Sequence, residues 1–152
     1  MGRRRLAREI ALQALYVADV ARTPALEAFA IVTRREGEEV DAETLEFARE
    51  LALGAIASVE KLDVTIQEQA ANWSMVRMAA VDRNVLRLAA YELEARPDTP
   101  VGVIIDEAIE IVRKYSTEEA TRFINGILDS LKKLRDAKPK KKNVRKTENP
   151  EG

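Results

Sequence analysis

The sequence predicts an all-α protein, a bundle of seven helices. Three observations carry this. Apolar residues return every three or four positions in seven separate stretches. No run alternates in the manner of a strand. The connections are short and marked by capping residues and prolines, which interrupt the repeat too often for a coiled coil.

The first helix is expected over about residues 3–20, with Leu6, Ala7, Ile10, Ala11, Ala14, Val17 and Ala18 turned inward. Its other face gathers Arg5, Arg8, Leu12 and Tyr16. Cations for phosphate beside a flat ring for a base are what a single-stranded nucleic acid contact requires. The competing reading is a basic helix end whose Tyr16 packs on a neighbour. Thr23 and Pro24 read as N-cap and first-turn proline of a short helix to about Arg35, stopped near Gly37. Asp41 caps the next helix, with Val40 and Leu45 at hydrophobic-staple spacing. Its stripe continues through Ala48, Leu51, Ala52, Ala55, Ile56 and Val59 to Leu62. Gly54 weakens that helix unless another approaches closely there. Asp63 opens a short helix to about Ala71, and Asn72-Trp73-Ser74 breaks the chain, with Trp73 expected to anchor two halves of the bundle.

The central element is Val81–Glu94. Val81, Val85, Leu88 and Ala89 form its apolar stripe, widened by Leu86, Ala90 and Leu93. A stripe so broad predicts packing against several other helices. The remaining arc holds Arg83, Asn84, Arg87, Tyr91 and Glu94. Arg83 and Arg87 stand one turn apart and repel, so something anionic is expected against them. Glu92 falls inside the stripe and needs donors, expected from the amides that open the next helix at residues 100–103.

Pro97 and Pro100 end that helix and restart the chain. Val101, Ile104, Ile105, Ala108, Ile111, Val112 and Tyr115 form the sixth stripe. Ser116 and Glu119 have capping-box spacing ahead of the last helix, which turns Ala120, Phe123, Ile124, Ile127, Leu128, Leu131 and Leu134 inward around Asn125-Gly126. Residues 138–152 lack apolar period and read as a disordered basic tail, either a solubilising end or a nonspecific RNA tether.

Composition narrows the function. The 152 residues suit one domain, here residues 1–137, with 46% hydrophobic and 34% charged residues and only 5% aromatic ones. With neither cysteine nor histidine, disulfides, thiolate and imidazole chemistry and the common zinc sites are excluded. No apolar run is long enough to span a bilayer and no signal peptide opens the chain, so a cytoplasmic protein is expected. The acid pairs Asp106-Glu107 and Glu118-Glu119 read as helix-surface pairing and dipole compensation rather than as a metal or catalytic site. We therefore expect no enzyme, no cofactor and no metal.

The net charge of −1 conceals segregation. Residues 1–8 hold four arginines and no acid, and residues 132–152 hold nine basic residues and three acids. The 123 residues between them carry 12 basic and 23 acidic side chains. Such local charge decides where a polyanion docks. Two classes remain: an RNA-binding protein, or a helical adaptor for another protein with incidental RNA binding.

Linked motifs then carry a resemblance. Trp73-Ser74, the run from Val81 to Leu93, Ile105–Ile111, Arg122–Asp129 and the N-terminal Arg3-Arg4-Arg5, Arg8-Glu9 and Gln13–Tyr16 resemble the bacterial NusB transcription antitermination factors, over about residues 3–131. The resemblance implies two helical subdomains, about 3–72 and 73–137. It implies binding of boxA leader RNA with the ribosomal protein NusE. It also implies read-through by RNA polymerase with other Nus factors, notably in rRNA operons of the bacterial cytoplasm. The RNA surface it implies comprises Arg3, Arg4, Arg5, Arg8, Tyr16, Arg87, Glu119, Arg122 and Phe123. The NusE surface it implies lies mainly on the second subdomain, including Asp82 and Arg83. Two positions depart from the pattern. Ser116 stands where glycine is expected, and Glu119 where some relatives carry aspartate.

Overall fold

The computed structural model describes residues 2–36 and 40–137. Those residues form seven α-helices and no strand: α1 (Arg3–Val20), α2 (Ala25–Glu36), α3 (Ala42–Ala57), α4 (Val59–Gln69), α5 (Ala80–Ala95), α6 (Val101–Tyr115) and α7 (Glu118–Ala137). A single 3-10 turn, Met75–Arg77, precedes α5. The expected stop at Gly37 and the basic tail from 138 lie outside the described residues.

The apolar stripes meet as their periods require. α1 packs against α2, α3 and α5, and α5 also packs against α3, α4, α6 and α7. The element around Val81–Glu94 is therefore the hub. Ile10, Leu15, Leu51, Ile66, Leu86, Ile104, Ile124 and Leu128 are almost fully enclosed in one continuous core. Burying each such side chain is worth roughly 1.5–3 kcal/mol. α4 packs chiefly on α5 and α7. Gly54 does allow a close approach, since a Cβ there would fall 2.0 Å from the Tyr91 hydroxyl of α5.

Several local expectations change. The stripe expected to run unbroken to Leu62 is cut at Ser58, whose amide reaches back to Gly54 and Ala55 while its carbonyl opens α4. Asp41 caps α3 as expected, accepting from the Thr44 amide at 2.8 Å. At α7 the cap moves by one residue: Thr117 Oγ1 accepts from the Ala120 amide at 3.0 Å, and Ser116 ends α6. Thr23 does not cap α2; its hydroxyl donates to the Ala21 carbonyl. Arg22 takes φ 51° to end α1, with the Thr23 amide returning to the Ala18 carbonyl in a Schellman arrangement that usually employs glycine.

Trp73 is not an internal anchor. It is 46% exposed, as Phe123 (37%), Tyr115 and Leu134 are also open. Phe123, Tyr115 and Leu134 sit at the margins of their helical stripes, where a period of 3.6 residues carries the side chain past the contact. Trp73 instead lies in the bend between α4 and the 3-10 turn. Among the described residues no helix is long and apolar enough to cross a membrane.

Candidate nucleic-acid interface

The N-terminal arginines separate by what each meets on the neighbouring elements. Arg3 reaches Asp41 at 3.4 Å, with its side chain largely in solvent, a contact worth little. Arg4 has no carboxylate partner among the described residues and lies over the Phe47 ring at 4.2 Å, where cation–π attraction orients the guanidinium without neutralising it. Arg5 grips Glu107 of α6 with Nε and Nη2 at 2.7 and 2.9 Å. That hydrogen bond and the Glu107 charge raise the Arg5 pKa, and the same bond holds Glu107 below its ordinary range against the opposing effect of burial.

Arg8 turns inward. It is 4% exposed and holds Glu92 of α5 by two hydrogen bonds of 2.7 and 2.8 Å. Glu92 therefore does not accept from the start of α6, and Arg8 and Leu12 do not share an open face with Tyr16. Tyr16 does remain open, at 40%. Between the start of α1 and the start of α6 lies an open groove of about 460 Å³, lined by Arg4, Arg5, Arg8, Pro100, Val103 and Glu107 among others.

The anion sought for Arg83 and Arg87 is internal. Arg87 donates from Nε and Nη2 to both oxygens of Asp63 at 2.7 Å, and from Nη1 to Asp19 and to Asn84. Burial lowers the Arg87 pKa, but the hydrogen bonds and charges of Asp63 and Asp19 outweigh it, so the net shift is upward. Arg83 Nε donates to Asp19 at 2.8 Å and Nη1 to the Met78 carbonyl. Asp19 feels burial most, which raises its pKa. Hydrogen bonds from Arg83 and Asn84, with the charges of Arg87 and Arg83, carry it below the ordinary range. Arg87 is thus a strut joining α1, α4 and α5, with little surface left for an outside phosphate. Asp82 is also buried, and its Oδ1 has no hydrogen-bond partner among the described residues.

The start of α7 behaves differently. Glu119, Arg122 and Phe123 are all exposed, and their spacing puts Arg122 and Phe123 one turn beyond Glu119 on one face. Arg122 makes no ion pair or hydrogen bond with any described residue. Phe123 meets Trp73 edge to face, with ring centroids 6.1 Å apart. The sequence reading missed three residues that decide these roles. Phe47, Asp19 and Asp63 lie far along the chain from the arginines they hold, and no local spacing links them. The spacing within α6 would pair Lys114 with Glu110, but the Lys114 ammonium bonds Glu9 of α1 at 3.2 Å.

The NusB family model matches residues 5–133. The transcription antitermination protein NusB of Elusimicrobium minutum is 48% identical over 138 residues, covering 89% of this chain and 96% of that protein. A structure of T. maritima NusB superposes with a TM-score of 0.78 at 37% identity, covering 86% of this chain and 90% of the other. A structure of the antitermination factors NusB and NusE with double-stranded RNA contains a chain matching with a TM-score of 0.80 at 29% identity, covering 87% and 97%.

Proposed function

The chain belongs to the NusB family, and from that membership we propose that it is a transcription antitermination factor which binds boxA-type leader RNA together with NusE. The observation that carries the reading is the match, over 87% of this chain, to a chain from an assembly of NusB, NusE and RNA. In this reading the complex acts in the bacterial cytoplasm, with other Nus factors, to carry RNA polymerase through terminators, notably in rRNA operons.

Two open surfaces supply the chemistry. At the start of α1, Arg3 and Arg4 offer charges that no buried carboxylate consumes, Arg5 adds a partly exposed one, and Tyr16 offers a ring. On α7, Arg122 supplies a free cation and Phe123 a second ring, while Glu119 can accept from a base amine. Arg8 and Arg87 support this surface from beneath instead of meeting phosphate. Four arginines engaging four phosphates would give a salt slope of about −3 for a single strand. The acidic body disfavours RNA elsewhere on the molecule. Asp82 is buried and Arg83 is held by Asp19, so at the start of α5 they would border the proposed NusE surface from beneath rather than present their charges to it. If NusE and RNA both touch this chain and each other, each binds more tightly in the presence of the other.

Titration with labelled boxA RNA, a scrambled strand and a duplex, each with and without NusE, tests the reading. We expect boxA to bind best and NusE to sharpen the preference. Equal affinity for all three RNAs under both conditions would leave a protein adaptor with incidental RNA binding.

A further inference from the structure

The Trp73–Phe123 pair is not explained by packing. Phe123 is open while its neighbours Ile124, Ile127 and Leu128 are enclosed, and Trp73 is nearly half exposed. The rings meet at an interplanar angle of 65°, so one presents its edge to the other and a broad aromatic face stays free. The loop bearing Trp73 is held in place: the Gln67 amide donates to the Ala70 and Trp73 carbonyls at 2.9 and 2.8 Å, and its oxygen accepts from the Met75 amide at 2.9 Å. A ring on a fixed backbone binds at a lower entropic cost than one on a loose loop. Arg122, on the same face of α7 as Phe123, has no partner among the described residues. One turn on, Gly126 has no atom beyond its own turn of helix backbone within 4 Å of where a Cβ would stand, leaving the backbone open to a flat ligand.

We infer that Trp73 joins Phe123 in a stacking platform for one unstacked base of the bound RNA strand, with Arg122 meeting the adjoining phosphate. This extends the RNA-binding reading above and rests on it. Free aromatic faces beside an uncompensated cation fit a nucleotide better than an apolar protein surface, which would leave that cation buried and unpaired.

The chain has a single tryptophan, so its emission reports on this site alone. A boxA-type single strand is titrated into the protein while emission and the anisotropy of the labelled strand are followed together. Quenching that saturates with the anisotropy change is expected. Trp73→Ala should weaken binding about tenfold with little change in Tm, and Trp73→Phe should retain most of the affinity. Saturating anisotropy with unmoved emission, together with parental affinity in Trp73→Ala, would overturn the platform and leave the RNA reading intact. Failure of any RNA to bind would overturn both. Emission that responds to NusE alone, and not to RNA, would assign the rings to protein docking and overturn the inference.

Discussion

Arg8 and Glu92 lie 84 residues apart in sequence and close a two-bond clamp between α1 and α5, with both side chains enclosed. Removing one partner strands a buried charge. Glu92→Leu, which does so, should therefore cost about 3–5 kcal/mol in a urea melt. Replacing both, as Arg8→Met with Glu92→Leu, should recover much of that loss. A single-variant cost below about 1 kcal/mol would show that the clamp is not a closed ion pair.

Arg87 sets a second expectation, opposite to the one its helical arc implied. Because Asp63 and Asp19 occupy its guanidinium, Arg87→Ala should lower stability by about 3 kcal/mol and change RNA affinity little once folding is restored by lower temperature. Unchanged thermal melting with a large loss of RNA binding would return Arg87 to the interface.

Acid sensitivity follows from Asp19 and Glu107, whose carboxyls are both held below their ordinary range. A depressed folded pKa contributes stability above the unfolded value and loses it as pH falls through the folded one. With no histidine in the chain, stability should be nearly flat from about pH 5 to 8 and decline below about pH 4. Asp19→Asn should make that decline shallower. Melting temperatures across pH 2–8 in parent and variant check it.

The two mid-helix glycines should respond in opposite directions. Gly54→Ala drives a methyl into Tyr91 and should destabilise by about 1–3 kcal/mol. Gly126→Ala meets open space and should stabilise by about 0.5–1 kcal/mol. Denaturant midpoints of both variants decide this.

The helices were legible because a period of 3.6 residues is a local signal, and Asp41, the Gly54 approach and the hub role of α5 followed from it. What escaped was set at a distance. The break at Ser58 leaves the apolar stripe almost in register, so nothing in the spacing announces it. Arg8, Arg83 and Arg87 read as open charges because Glu92, Asp19 and Asp63, which turn them inward, sit 24 to 84 positions away. Of the proposed surface, Arg3, Arg4, Tyr16, Glu119, Arg122 and Phe123 are open in the structure and Arg5 partly so. Trp73 was misplaced because an aromatic beside a helix break looks the same in sequence whether it packs inward or lies open.

The central claim is that arginines open to solvent at the start of α1 and on α7 carry the RNA charge, while the inward arginines carry the fold. The salt dependence of RNA affinity in the double variant Arg4→Ala, Arg122→Ala tests it most directly. At about −0.7 per phosphate contact, the slope should become shallower by about 1.4 with Tm unchanged. A slope equal to the parent's, at equal affinity, would contradict the account.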